Sequence, residues 1–194
     1  MHLRTALPRA LAVAAVLAAA APAVAQSPAA AALPPVAKPD TLATGAFKFS
    51  YALTLPGTPD RVWEMTTSGL GEWWDHTMSE KPHRLYIDAK AGGGFWEIMD
   101  TLGNGVRHAE VTFAQRPALL RFEGPLGLTG SAIHMVHTFQ YAPVGADSTR
   151  LTLEVHAAGE MGRGWDAMVS QVWRHFLFEA LKPHAERRAR GGTE

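Results

Sequence analysis

The 194-residue chain contains no cysteine, which excludes disulfides, thiolate catalysis and cysteine-ligated zinc together. Neither sign of charge is in excess. Lysine plus arginine and aspartate plus glutamate number 18 each, so the basic stripe of a nucleic-acid-binding surface is missing and no such partner is expected. Phosphate loop, zinc-protease helix, serine-nucleophile elbow and internal repeats are absent as well. No cofactor and no metal site are expected. With 47% apolar and 19% charged residues, the chain fits neither a disordered polypeptide nor a polytopic membrane protein.

The N-terminal region reads as an export signal over residues 1–25. Arg4 and Arg9 give a positive start, an apolar run follows over residues 10–21, and Ala23-Val24-Ala25 supplies small residues for cleavage before Gln26. The run is shorter than the roughly 20 residues that span a bilayer. A periplasmic or secreted protein without stable membrane insertion after cleavage is therefore expected. Residues 26–43 form an Ala/Pro-rich linker, interrupted by Pro28, Pro34, Pro35 and Pro39, each fixing φ and removing an amide donor. The folded domain is assigned to residues 44–194, long enough to build a core without staples.

Within it, Phe47, Phe49, Tyr51, Leu53 and Leu55 alternate as a half-buried strand. Thr58-Pro59-Asp60 opens a helix with a cap, a first-turn proline and an acid. A second short helix is expected around Glu72-Trp73-Trp74. Six strand segments follow, over 85–87, 95–101, 106–115, 119–123, 133–141 and 151–155, with Gly103-Asn104-Gly105 as the strongest hairpin turn. From Trp165 to Leu181 an apolar stripe recurs with helical period, through Met168, Val169, Val172, Trp173, Phe176 and Leu177. Pro183 is expected to end or kink that helix. An antiparallel meander with one apolar face must cover it, and the last helix alone is long enough. The expected class is α+β: a curved antiparallel sheet wrapped around a long C-terminal helix, with two short helices after the first strand.

Several short motifs strengthen that reading. Arg61-Val62-Trp63, Trp73-Trp74, Gly93-Gly94-Phe95-Trp96-Glu97, Arg116-Pro117-Ala118-Leu119-Leu120, Ser148-Thr149-Arg150-Leu151-Thr152-Leu153 and Gly164-Trp165 occur in this order. The pattern resembles the START-like helix-grip (SRPBCC) superfamily, nearest its polyketide cyclase/dehydrase and chaperone-ATPase-activator branch. The resemblance implies a cavity between sheet and helix that takes lipids, sterols, polyketides or aromatic compounds. It assigns no catalytic residue, because the superfamily has no universal catalytic motif.

Candidate site residues follow from strand parity. His134 and His137 lie on opposite faces of one strand and cannot chelate a metal together. His137 shares parity with Ile133, Met135 and Phe139, which makes it either a core histidine or the polar group that meets a ligand. Arg107 shares the parity of Val111 and Phe113 and is expected toward the cavity, while His108 and Glu110 face solvent. For Glu97 the strand settles no face. Met135, Trp74, Trp165 and Trp173 are the candidate apolar lining. The expected function is an exported carrier or sensor of a small apolar molecule. A cofactor-independent cyclase, dehydratase or hydrolase using the same cavity is the alternative, and a protein-interaction module built on exposed Leu126, Leu128 and tryptophans is the third. Oligomeric state is left open.

Overall fold

A computed structural model describes residues 36–191. The expected signal and residues 26–35 of the linker lie outside the described residues. Residues 36–43 are exposed and without regular structure. No helix of the described residues is long and apolar enough to cross a membrane.

Strand β1 (Thr44–Pro56) leads into helix α1 (Pro59–Thr66) and a 3-10 turn at Leu70–Glu72. Strands β2 (Arg84–Ile87), β3 (Gly94–Ile98), β4 (Gly105–Gln115) and β5 (Leu119–Glu123) follow, then β6 (Ile133–Pro143) and β7 (Ser148–Glu160). All seven pair antiparallel in one sheet, in the order β1-β7-β6-β5-β4-β3-β2. The hydrophobic periods explain the layering. Leu120, Phe122, Met135, Phe139, Leu151, Leu153 and Val155 alternate onto one face, and Trp173, Phe176, Leu177 and Leu181 of the C-terminal helix bury against it. Each such side chain contributes about 1.5–3 kcal/mol of transfer free energy. The architecture is the helix-grip α+β fold.

The start of α1 is built as its sequence dictates. Thr58 Oγ1 accepts from the Arg61 amide and Pro59 opens the first turn. The second short helix falls at Leu70–Glu72 rather than over the tryptophans, and Trp73 instead donates its indole N–H to the Met65 carbonyl at 2.8 Å.

The C-terminal helix runs as α2 (Trp165–Arg174), a π-helical stretch (His175–Leu181) and α3 (Lys182–Gly191). Pro183 therefore does not end it. A proline inside a helix lacks the amide and crowds the carbonyl one turn back, and the widened turn immediately upstream takes up that mismatch.

Candidate functional site

Between the helix and the β3–β6 part of the sheet lies a cavity of about 240 Å³. Its walls are Phe95, His108 and Met135 from the sheet, and Met168, Val169, Val172, Trp173 and Phe176 from the helix. The segment after α1 contributes Trp74, His76, Thr77 and Met78, and the β5–β6 loop contributes Pro125, Leu126, Gly127 and Leu128. Trp74 stacks on Phe176 with ring centroids 3.7 Å apart and meets Phe95 and Trp173 edge-on. Met78 and Met168 are exposed large apolar side chains of this wall, and methionine adapts well to irregular apolar partners.

The β5–β6 loop is fixed against the sheet by a close backbone approach. A Cβ on Gly124 would lie 2.4 Å from the His108 carbonyl oxygen, so only glycine fits. Two residues on, Leu126 holds a left-handed φ of 50° while its side chain is buried in the cavity wall. Non-glycine residues hold that conformation only where surrounding packing over-determines it.

The principal polar group in the wall is His108, and a β-bulge puts it there. In the β3–β4 ladder Phe95 pairs with Ala109 and Trp96 with Arg107, which leaves His108 as the extra residue. The bulge turns His108 inward next to Ala109 and reverses the parity of everything before it. Arg107 is thereby placed outside: it is exposed, pairs with Glu110 at 2.9 Å and lies near the Trp96 face. The expectation for Arg107, and the opposite one for His108, are both corrected by this one residue. A second bulge, between Val111 and Phe113, likewise leaves Phe113 exposed.

His108 Nε2 lies 3.0 Å from Glu97 Oε2, and both side chains are buried. Glu97 also accepts from the Met78 amide at 2.9 Å, the Ser79 amide at 2.8 Å and the Ser79 hydroxyl at 2.9 Å. Burial works to raise the Glu97 pKa, but the Met78 and Ser79 amides, with the His108 ring and Ser79 hydroxyl, outweigh it and hold the carboxyl below its ordinary value. An ionised carboxylate only accepts, so His108 carries a proton on Nε2. Its Nδ1 is buried and has no hydrogen-bond partner.

His137 faces inward as its parity predicts and is fully buried, but it lies behind the cavity wall rather than in it. Its ring stacks on Phe122 at 4.9 Å and tilts against Trp173 at 5.4 Å. Burial pushes its pKa down to about 3, outweighing an opposing pull from the Phe122 backbone, so the ring is neutral. No well-formed hydrogen bond reaches either nitrogen. Trp74, Trp173 and Met135 do line the cavity, whereas Trp165 sits half-buried at the start of α2 outside it. The exposed apolar surface expected for an interaction module is not formed by those residues. Leu126 is buried, and no tryptophan is among the exposed large apolar side chains of the described residues.

Beside the cavity, Asp75, His76 and His175 also converge. Sequence reasoning missed this group because Asp75 and His175 are 100 residues apart. No spacing rule links a loop after α1 to the C-terminal helix.

No protein-family model matches the chain, and no curated protein matches it. Among solved structures it is similar to the Mll3558 protein from Rhizobium loti, at 22% identity over 70% of this chain and 94% of that one, with a TM-score of 0.53. The MLL2253 protein from Mesorhizobium loti aligns at 20% identity over 73% of this chain and 98% of its own, with a TM-score of 0.51. These likenesses support the fold. Norcoclaurine synthase from Thalictrum flavum lies further off, at 13% identity over 72% of this chain and 98% of its own, with a TM-score of 0.42.

Proposed function

We propose that the chain is an exported carrier or sensor that holds a small apolar, ring-containing or lipid-like molecule in the cavity between sheet and helix. Residues 1–25 support the export half of the proposal through their basic start, apolar run and small-residue exit. The observation that carries the binding half is His108, a buried ring with an unpartnered Nδ1 in a wall otherwise made mainly of aromatic and aliphatic side chains. Ligand sites have this composition, apolar walls with a few fixed polar groups. At about 240 Å³ the cavity suits a ligand of one or two rings rather than a sterol. Nδ1 itself shows almost no surface to the cavity, so a ligand hydroxyl would supply the donor it lacks once the ring or its neighbours shift to meet it.

Calorimetric titration with 2-naphthol and with naphthalene tests the reading. The naphthol is expected to bind about 5- to 10-fold more tightly, the worth of one hydrogen bond of about 1–1.5 kcal/mol. His108→Phe should abolish that difference while naphthalene still binds. Failure of both compounds to bind would remove the cavity from consideration. Intact-mass measurement of protein recovered outside the cytoplasm should show a start at Gln26, and full-length chain in the cytosol would count against export.

The Glu97–His108 pair favours a second reading, an acid–base enzyme. Glu97 fixes the tautomer and leaves Nδ1 as the unpartnered nitrogen, the one that would take a proton from a bound molecule that reaches it. Native mass spectrometry separates the two. A copurifying compound that stays unchanged supports the carrier, and its conversion by the wild type but not by His108→Ala supports the enzyme.

A further inference from the structure

Asp75 spans two imidazoles beside the cavity. Its Oδ1 lies 2.9 Å from His76 Nδ1 and its Oδ2 lies 2.7 Å from His175 Nε2. One ligand atom from each of these three residues lies within 4.8 Å of the others. Four-coordinate zinc, with bonds of about 2.0–2.1 Å, separates its ligand atoms by roughly 3.3 Å. The two short contacts are to different oxygens of Asp75, so admitting the ion needs a side-chain rotation that presents one oxygen to both imidazoles and brings all three ligand atoms to about that spacing.

The two imidazoles are held from outside the cluster, as metal ligands are. The other nitrogen of His175, Nδ1, faces Glu179 Oε2 at 3.1 Å, and Arg174 donates to the remaining Glu179 oxygen at 2.6 Å. A carboxylate on the far side of a ligating imidazole fixes its tautomer and raises its basicity. His76 is fixed through its backbone, whose carbonyl accepts the Trp74 indole N–H at 2.7 Å, and its ring packs edge-on to Phe176 at 5.0 Å. Two carboxylates and one guanidinium surround the imidazoles, and because both His175 nitrogens face a carboxylate, an entering ion must displace a proton from Nε2. Two imidazoles and one carboxylate suit zinc, copper(II) or nickel, and are a poor set for magnesium or calcium, which take oxygen ligands.

We propose that Asp75, His76 and His175 form a divalent transition-metal site, with zinc as its representative ion and Glu179 as the residue that positions His175. Three protein ligands leave a coordination position for water or another donor, the pattern of catalytic rather than structural zinc sites. His76 belongs to both the cluster and the cavity wall, so the ion would sit at the cavity's edge.

Zinc titration of tag-free, chelator-treated protein tests the proposal without reference to any organic ligand. One equivalent should bind, and Co²⁺ in its place should give the intense visible bands of a four-coordinate centre. His76→Ala and His175→Ala should each weaken zinc binding at least tenfold, and Glu179→Gln by about 10- to 100-fold with the three ligands intact. His156→Ala, on a different part of the surface, should change nothing. All of these side chains are exposed or half-exposed, and circular dichroism confirms that each variant is folded before it is titrated. Absence of stoichiometric zinc binding overturns the proposal. So does binding that survives both histidine variants, or that falls equally with His156→Ala.

Discussion

Glu97 Oε2 stands 3.0 Å from His108 Nε2, and the same carboxylate holds the amides of Met78 and Ser79. One side chain from β3 thus orients the histidine in the cavity wall and ties down the segment carrying Met78 over that wall. Replacing it should separate these tasks. Glu97→Ala leaves two amides, a hydroxyl and an imidazole without their acceptor and should cost about 3–5 kcal/mol. Glu97→Gln keeps the shape but loses the charge, and should cost less. Hydrogen exchange at the Met78 and Ser79 amides should rise sharply in both. Unchanged protection there would mean that the carboxylate does not anchor the segment.

His137 makes stability depend on pH in a defined sense. Its folded-state pKa is near 3 and its ordinary value 6.5, so below 6.5 the unfolded chain binds a proton that the folded chain refuses. Stability from this group is fully present above 6.5 and falls with pH, by up to about 1.4 kcal/mol per unit, until the folded ring itself titrates. Denaturant melts of wild type and His137→Phe between pH 7 and 4.5 should diverge by about 2–3 kcal/mol at the acid end. Parallel curves would show the ring to be protonated in the fold. The carboxylates titrate in both proteins, so the difference isolates the histidine.

Arg107 offers a test of the bulge. It is exposed, paired with Glu110 on its own strand and near the Trp96 ring, all at the surface, so Arg107→Ala should change stability by no more than about 0.5 kcal/mol and leave naphthol binding untouched. A tenfold loss of binding would place Arg107 inside and the bulge elsewhere.

Filling the cavity should remove binding without unfolding the protein. Val172→Phe adds a ring beside Trp173 and Met168, where space exists. It should weaken 2-naphthol binding at least tenfold, while stability moves by about 1 kcal/mol or less. Binding that persists would locate the ligand outside this cavity.

Gly124→Ala probes the loop on the other side. Its new methyl group would press on the His108 carbonyl and on Ala109, forcing the backbone apart at a cost of about 1–3 kcal/mol. The ligand affinity of the variant should fall with it, because Leu126 and Leu128 follow directly. An affinity equal to wild type would show that the loop does not help close the cavity.

Much of the fold was legible because it rests on periods. Alternation along β1, β5, β6 and β7 and the 3.6-residue stripe of the last helix mark the buried faces directly. The inward placement of His137 came from the same alternation. The site was less legible because it is built where periods fail. Val106 and Val111 have opposite parity within one strand, and that conflict is the trace the His108 bulge leaves in the sequence. Residues 74–79 have no period at all, and they supply four cavity residues and the carboxylate that bridges His76 and His175. Glu97 was undecided for a related reason: Trp96 on one face and Phe95 on the other are both large and apolar, and only the structure shows Trp96 turned outward.

The seven π-helical residues before Pro183 carry a consequence for chain length. Such a stretch covers the rise of an α-helix with one residue to spare. Removing a residue from an ordinary helix turns everything beyond it by about 100°. Here the spare residue would absorb the loss. Excising Ala180 together with Pro183→Ala should give a straight α-helix that still delivers Ala185 to the core and Arg188 to Glu72, now 2.6 Å away. A deletion inside the central gripping element is thus survivable, while the same deletion in α2, between Val169 and Trp173, would rotate one side of the cavity wall out of place.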